Sequence, residues 1–140
     1  MKLLENRRGL VVGVANAHSI AWGISQACHE HGAELAFTYL NETLEKRVRP
    51  LAESLGSKEI FPCDLSDDES LVQLKEKMDA WGPLDFIIHS VAFAQRQDLD
   101  GRFLDTSRDG FRAALDVSAF SLVALAKACE NALKPGGSIL

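Results

Sequence analysis

The 140-residue chain has few of the residues that build disulfide frameworks, metal centres or membrane spans. Its three cysteines, Cys28, Cys63 and Cys129, are odd in number, widely spaced and free of any C-x-x-C arrangement. That pattern predicts neither a disulfide framework nor a zinc site, and it favours a reducing cytoplasm. The apolar runs are too short for a membrane span, and the N-terminus lacks the apolar core of a signal peptide. We therefore expect no metal ion and no membrane contact.

Basic residues are also scarce, since 15 Lys and Arg stand against 20 Asp and Glu, which gives a formal net charge of -5. A nucleic-acid surface needs clustered basic side chains, so the balance argues against one. Lys46, Arg47 and Arg49 form the only local basic cluster, which we interpret as a solvated helix face. The content of 46% hydrophobic and 25% charged residues is typical of a globular protein, and the length fits a single domain over 1–140.

Strand-like apolar runs alternate with helical patterns along the chain. Strands are predicted near 9–13, 33–39, 58–63, 84–90 and from 137 to the end. Repeated strand-helix units predict an α/β fold, a doubly wound parallel sheet of the Rossmann type, with right-handed crossovers that place helices on both faces. Ligands of such sheets bind at the carboxyl ends of the strands, so the residues just after each strand are the candidate site.

Local signals mark the helices. The apolar stripe predicted for the first helix comprises Ile20, Ile24, Ala27, Cys28 and His31. Gly32 is predicted to end that helix. Pro50 predicts a kink or a division in the second helix, and Ser66 with Glu69 predicts a capping box at the start of the third. The helical register over 106–134 is long enough to predict two helices or one bent helix.

The turn after the first strand is the most informative motif, with Gly13, Ser19 and Ala21 in a G-x5-S-x-A spacing. A strand that breaks at a glycine and enters a helix aims free backbone N–H groups at one point, where a phosphate can bind. The G-x-G-x-x-G fingerprint fails, because Ala15 and His18 stand where it needs glycine. Gly13 can take the tight turn, while Ser19 can cap the helix and donate its hydroxyl to a phosphate. A helix cap with no ligand remains the alternative.

Residues at the next two strand ends suit a dinucleotide. Leu40 and Asn41 follow the second strand, where such proteins place a ribose-binding acid or a phosphate-binding arginine. The absence of a basic residue at 40–42 favours NADH over NADPH, although Lys46 or Arg47, one turn into the helix, could still reach a phosphate. After the third strand, Asp64 can accept a hydrogen bond from an adenine amino group while Leu65 covers the ring. Capping of the next helix is the alternative for Asp64.

The fourth strand ends in His89 and Ser90, followed by small residues that leave room for ribose and nicotinamide. Neighbours on a strand point to opposite faces, and no third, orienting group is evident. A nucleophilic His-Ser pair is therefore not predicted.

Six segments together carry a family resemblance: GVANAHSIA (13–21), WGI (22–24), GAELAFTY (32–39), CDL (63–65), HSVAFA (89–94) and ALAKAC (124–129). They resemble the bacterial enoyl-[acyl-carrier-protein] reductases of the FabI type, a divergent branch of the short-chain dehydrogenase/reductase superfamily. The resemblance implies a cytoplasmic, homotetrameric enzyme of fatty-acid synthesis. Such an enzyme reduces a trans-2-enoyl thioester on acyl carrier protein with hydride from NADH.

The resemblance also implies roles for single residues. Gly13, Ser19 and Ile20 would hold the pyrophosphate and its ribose, Leu40 would lie near the adenosine ribose, Asp64 and Leu65 would bind adenine, Val91 would contact the cofactor, and Ala94 would border the acyl substrate. Leu40 stands where the family often has glutamine.

The family's catalytic tyrosine and lysine, in a Tyr-x6-Lys spacing, are expected beyond Leu140, because Tyr39 is the only tyrosine. We therefore interpret the chain as the N-terminal, cofactor-binding part of an enzyme, with the C-terminal part of the fold absent. Two alternatives remain open: another short-chain dehydrogenase/reductase such as a ketoacyl reductase, and a nucleotide-binding module without catalytic activity.

Overall fold

A five-stranded parallel sheet forms the centre of the computed structural model, which describes all residues 1–140. The strands are β1 (Arg8–Val12), β2 (Glu34–Tyr39), β3 (Ile60–Pro62), β4 (Leu84–His89) and β5 (Leu133–Ile139). Their order is β3-β2-β1-β4-β5, and every neighbouring pair is parallel. The chain thus starts at the central strand, winds to one edge and then crosses to the other side. The predicted doubly wound sheet is confirmed.

Helices cover both faces of this sheet. They are α1 (Ile20–Glu30), α2 (Glu42–Ser54), α3 (Asp68–Trp81), α4 (Arg96–Leu99), α5 (Arg108–Leu115) and α6 (Ser121–Cys129). A 3-10 turn spans Phe103–Asp105, and a π turn over Asp116–Phe120 joins α5 to α6. The long register over 106–134 is therefore two helices, as predicted. Among these helices none combines the length and the apolar content that crossing a membrane requires.

The sheet separates two apolar cores, because alternate side chains of each strand point to opposite faces. The first core contains Leu10, Ile87 and Leu125 and lies on the side of α3 and α6. The second contains Val11 and Phe37 and lies on the side of α1 and α2. Complete burial of a side chain of this size stabilises the fold by about 1.5–3 kcal/mol. Strands buried on both faces explain why the sequence shows continuous apolar runs rather than alternation.

An ionic cluster ties the amino ends of the strands together. The carboxylate of Asp85 accepts hydrogen bonds from the backbone N–H of Arg8 at 2.9 Å, from Arg7 at 2.8 Å and from Lys134 at 2.9 Å. Its side chain is only 9% exposed. Burial by itself would raise the pKa of Asp85, but these donors, Arg8 first, lower the pKa to about 2. The cluster lies at the edge of the sheet opposite to the candidate site.

The predicted apolar stripe of helix α1 was wrong in part, and the predicted capping box of helix α3 was wrong. In α1 the buried residues are Ala21, Trp22 and Ser25, whereas Ile20 is 79% exposed. Ile24 and Cys28 of the predicted stripe are partly buried against the second core. The buried Ser25 hydroxyl donates to the carbonyl oxygen of Ala21 at 2.7 Å. Helix α3 begins one residue later than its predicted capping box requires, because Asp67 is the N-cap and accepts the first-turn N–H groups.

Two further details differ from expectation. Helix α2 continues through Pro50, which lies in its last turns and removes only one backbone donor. Strand β5 begins at Leu133 rather than at 137. Leu133 pairs with Leu84 of β4, and the register then shifts, so that Ser138 pairs with Phe86. The Pro-Gly-Gly sequence at 135–137 lies inside this strand, where it distorts the pairing without interrupting the strand.

Candidate functional site

A cleft of about 400 Å³ opens at the carboxyl ends of β1, β2, β3 and β4. Five of the predicted site residues line it, namely Gly13, Leu40, Asp64, Leu65 and Val91. Twelve of the 17 lining residues are hydrophobic, and a mostly apolar wall with a few polar groups is typical of small-molecule sites. The cleft lies at the edge of the sheet where the topological rule for doubly wound sheets predicts a ligand.

Gly13 is required by a close approach between two strand ends. Its φ of +120° lies in a region that residues with a side chain rarely adopt. A Cβ atom at this position would overlap the carbonyl oxygen of Ser90. The same two strand ends are joined by a hydrogen bond from the N–H of Ser90 to the carbonyl oxygen of Val12 at 2.8 Å. Glycine at 13 is therefore needed for the packing of these two strand ends, whether or not a ligand is bound.

Ser19 lies at the N-cap of α1 but does not cap the helix with its side chain. Its Oγ instead accepts hydrogen bonds from the N–H groups of Ala15 at 2.9 Å and Asn16 at 3.1 Å. The predicted hydroxyl cap is therefore wrong, yet the hydroxyl proton remains available to a ligand. The N–H groups of Ile20 and Ala21 also have no acceptor within the protein. Three donors, together with the positive end of the helix dipole, meet at this turn.

At the end of β2, Leu40 is 51% exposed and lines the cleft. The following Asn41 caps α2, since its Oδ1 accepts the N–H of Leu44 at 3.0 Å. The one basic residue of α2 with a short ion pair is Arg49, which contacts Glu45 at 2.6 Å. Lys46 and Arg47, in the first two turns of α2, form no ion pair, so they are the nearest free cations to this strand end.

Asp64 offers the cleft a rigid carboxylate with one open oxygen. Its Oδ1 accepts both the N–H of Ser66 at 2.9 Å and the hydroxyl of Ser66 at 2.6 Å. Its Oδ2 accepts no hydrogen bond from the protein. Because Asp67 caps α3, the alternative that Asp64 is only a helix cap is not what the structure shows. Leu65 is 7% exposed, so it lines the cleft while anchored in the first core.

The neighbouring Cys63 also lines the cleft, and burial raises the pKa of its thiol to about 11. A protonated thiol is a poor nucleophile, so Cys63 is not a candidate nucleophile near neutral pH. No group of three or more His, Cys, Asp or Glu side chains is arranged to hold a metal ion.

Ala94 lies outside this cleft and lines a second one of about 410 Å³. The other residues of the second cleft are Ala92, Phe93, Phe111, Ala114, Leu115 and Ser118. Ala92 and Phe93 belong to the walls of both clefts, so the two spaces are adjacent. The second wall is almost entirely apolar, as a hydrocarbon chain would require.

Sequence reasoning missed the π turn as part of the site. Val117 of that turn lines the first cleft and Ser118 lines the second. The hydroxyl of Ser118 accepts the N–H of Phe93 at 3.0 Å and donates to its carbonyl oxygen at 3.1 Å. His89 does pair with a serine, but with Ser121 at 2.8 Å rather than with its neighbour. The available signal was a set of serines within an otherwise apolar helical register.

The sheet order, the two-sided helical layers and the cleft at the strand ends define a Rossmann-type α/β protein. Residues 13–140 match the model of a family described as enoyl-(acyl carrier protein) reductase. The chain belongs to this family.

Individual relatives agree with that assignment. The NADH enoyl-[acyl-carrier-protein] reductase FabI of Rickettsia bellii is 45% identical over 139 residues, which are 99% of this chain and 53% of the relative. The enoyl reductase of Anaplasma phagocytophilum in complex with NAD has a TM-score of 0.92 and 46% identity, covering 98% of this chain and 53% of that structure. The Bacillus cereus enoyl reductase with NADP+ and an indole naphthyridinone has a TM-score of 0.94 and 46% identity, covering 99% and 55%. The chain spans about half the length of the curated relatives it matches.

Proposed function

We propose that this chain is the cofactor-binding part of an NADH-dependent enoyl-[acyl-carrier-protein] reductase, which reduces trans-2-enoyl thioesters in fatty-acid biosynthesis. The observation that carries the proposal is the convergence of Gly13, Leu40, Asp64, Leu65 and Val91, from four strand ends, on one cleft. Family membership and relatives named as NADH enoyl reductases at about 45% identity support it.

The chain's own groups fit a dinucleotide. Ser19, Ile20 and Ala21 supply donors without protein acceptors, which suits the pyrophosphate at a helix N-terminus. The open Oδ2 of Asp64 can accept the adenine amino group. Leu40, at the end of β2, would lie against the adenosine ribose.

NADH rather than NADPH is the proposed cofactor. A 2′-phosphate needs a nearby cation, and the strand end offers Leu40 and Asn41. Arg49 is paired with Glu45, whereas Lys46 and Arg47 of α2 are unpaired and are the residues through which NADPH could still be accepted. The NAD complex of the Anaplasma relative agrees with this proposal, while the NADP+ complex from Bacillus cereus shows that a relative accepts the phosphorylated cofactor.

The second cleft, with Ala94 at its edge, would take the acyl chain of the substrate. The nicotinamide cofactor supplies the hydride when it is bound. Stabilisation of the enolate oxygen falls to a tyrosine and a lysine that we place outside 1–140, because Tyr39 lies at the adenosine end of the cleft. We further propose 1–140 as one dinucleotide-binding domain, acyl carrier protein as the partner, a homotetramer, and a cytoplasmic location that agrees with three free cysteines.

Asp64→Asn tests the cofactor assignment. Asparagine keeps an oxygen for Ser66 but replaces the open oxygen with an amide donor, so the adenine amino group loses its acceptor. Loss of one hydrogen bond to a charged group corresponds to roughly tenfold in Kd for NADH. Deamino-NADH, which has a carbonyl oxygen in place of that amino group, should bind Asp64→Asn at least as well as it binds the wild type. An unchanged Kd ratio of the two cofactors, measured by calorimetry, would remove Asp64 from the adenine site.

Turnover tests the activity itself. The complete gene product is expected to oxidise NADH when supplied with a crotonyl thioester, followed at the absorbance of reduced nicotinamide. Reduction of an acetoacetyl thioester instead would identify a ketoacyl reductase, and cofactor binding without turnover of either would identify a nucleotide-binding module.

A further inference from the structure

His89 and Ser121 form a part-buried hydrogen-bonded pair at the carboxyl end of β4. His89 lies two residues after Ile87 on β4, so both side chains point to the same face of the sheet. Ile87 belongs to the first core, and the imidazole of His89 therefore faces α6. Its Nε2 lies 2.8 Å from the Oγ of Ser121, a residue with no exposed surface. The same Oγ lies 2.6 Å from the carbonyl oxygen of Val117, which can only accept. The hydroxyl proton therefore goes to Val117, and Nε2 of His89 must carry the proton that it donates to Ser121.

This pair supports the π turn. The N–H of Ser121 bonds to the carbonyl oxygen of Asp116, five residues earlier, whereas an α-helix would direct it to Val117. The hydroxyl of Ser121 thus gives Val117 the donor that the α-helical register would have given it. A side chain that bonds back to residue i-4 commonly bends a helix, and single π turns are frequent at functional sites.

The π turn in turn contacts the site. Val117 lines the first cleft, and Ser118 holds Phe93 by two hydrogen bonds, of 3.0 Å to its N–H and 3.1 Å to its carbonyl oxygen. Phe93 belongs to the walls of both clefts. A return of this turn to α-helical register would rotate Ser118 away from Phe93.

We propose that His89 and Ser121 are positioning residues: they hold the π turn in register, and through Ser118 they fix the wall segment at Phe93 between the two clefts. Neither side chain need touch the cofactor or the substrate. The kinetic consequence rests on the proposed function, whereas the mechanical link from Ser121 to Phe93 does not.

Hydrogen exchange at the amide of Phe93 tests the link without reference to activity. Ser121→Ala in the complete protein should raise the exchange rate of that amide at least tenfold, because its acceptor on Ser118 moves. Ser25→Ala is the matched control, since Ser25 is also fully buried and also donates to a carbonyl at i-4, at 2.7 Å, but lies in α1. Equal protection of Phe93 in the wild type and in Ser121→Ala overturns the proposal, whatever the activity of the protein.

Kinetics test the consequence for the reaction. Ser121→Ala should raise the KM for the crotonyl thioester at least fivefold while changing the Kd for NADH less than twofold, because the phosphates and the adenosine of NADH are assigned to the ends of β1, β2 and β3. Ser118→Ala should give the same increase, and the double variant no further increase, since the two residues act in one chain of contacts. His89→Gln keeps a side-chain N–H donor and should retain the wild-type KM, whereas His89→Leu should not.

A merely structural role predicts something different. It would lower the Tm of Ser121→Ala and leave the KM within twofold of the wild type, and that result overturns the positioning role. A wild-type protein without enoyl reduction refutes the proposed function, and the exchange measurement then still decides the link between Ser121 and Phe93.

Discussion

Replacement of Gly13 by alanine should destabilise the protein by about 2–4 kcal/mol. The φ of +120° costs a residue with a Cβ roughly 1–3 kcal/mol. The new Cβ would also overlap the carbonyl oxygen of Ser90, so the ends of β1 and β4 must separate. That movement breaks the 2.8 Å hydrogen bond from Ser90 to Val12, which contributes about 0.5–1.5 kcal/mol.

The assay is thermal unfolding of the complete protein with and without NADH. At about 3 °C per kcal/mol for a protein of this size, Gly13→Ala should lower the Tm by about 6–12 °C. Gly23→Ala is the control, because Gly23 lies in α1 with open space around its Cα, and alanine there should stabilise by about 0.5–1 kcal/mol. A Tm for Gly13→Ala within 1 °C of the wild type would refute the close-approach argument. Weaker NADH binding by Gly13→Ala supports phosphate binding at the turn after β1 only under conditions in which this variant remains folded.

Three further outcomes are expected. Because the folded-state pKa of Asp85 is lowered to about 2, its stabilising contribution is complete above the unfolded value near 4 and is lost as the pH falls toward 2; Asp85→Asn should flatten this part of an acid unfolding curve. Leu40→Arg should raise kcat/KM for NADPH relative to NADH, and an unchanged ratio would show that the 2′ position lies elsewhere. Native protein at neutral pH should react with iodoacetamide at the half-buried Cys28 before Cys63, because Cys63 is buried and its pKa of about 11 keeps it protonated. Peptide mass mapping gives the order of modification, and earlier labelling of Cys63 would contradict this expectation.

Strands β1, β2 and β4 could be predicted from the sequence because burial on both faces leaves a continuous apolar run. The start of β5 was missed because its sequence, LKPGGSI, has no such run. Once the strand-helix alternation is recognised, the right-handed crossover rule leaves few topologies. The strand-end rule then points to Gly13, Leu40, Asp64 and the segment 90–94 from chain order alone. The individual roles of Leu40, Val91 and Ala94, in contrast, depended on family resemblance, since none of these side chains has a chemical signature of its own.

The features that were missed depend on contacts between distant parts of the chain. The π turn is held by His89 and Ser121, which are 32 residues apart. No local sequence propensity predicts this turn. The buried face of α1 was partly misjudged because a helical period fits more than one face, and Ala21, Trp22 and Ser25 rather than Ile20 are buried. The position of the π turn and the buried face of α1 are both decided by tertiary packing.

The division of the interior into two cores has a consequence for ligand binding. The first cleft is lined by Val12, Cys63 and Leu65 from one core and by Val14 from the other. A molecule seated there contacts both layers at once, so release of either layer from the sheet also releases the ligand. Ligand binding therefore stabilises both layers together: at a ligand concentration of 100 Kd, about 2.7 kcal/mol is added to the free energy of unfolding.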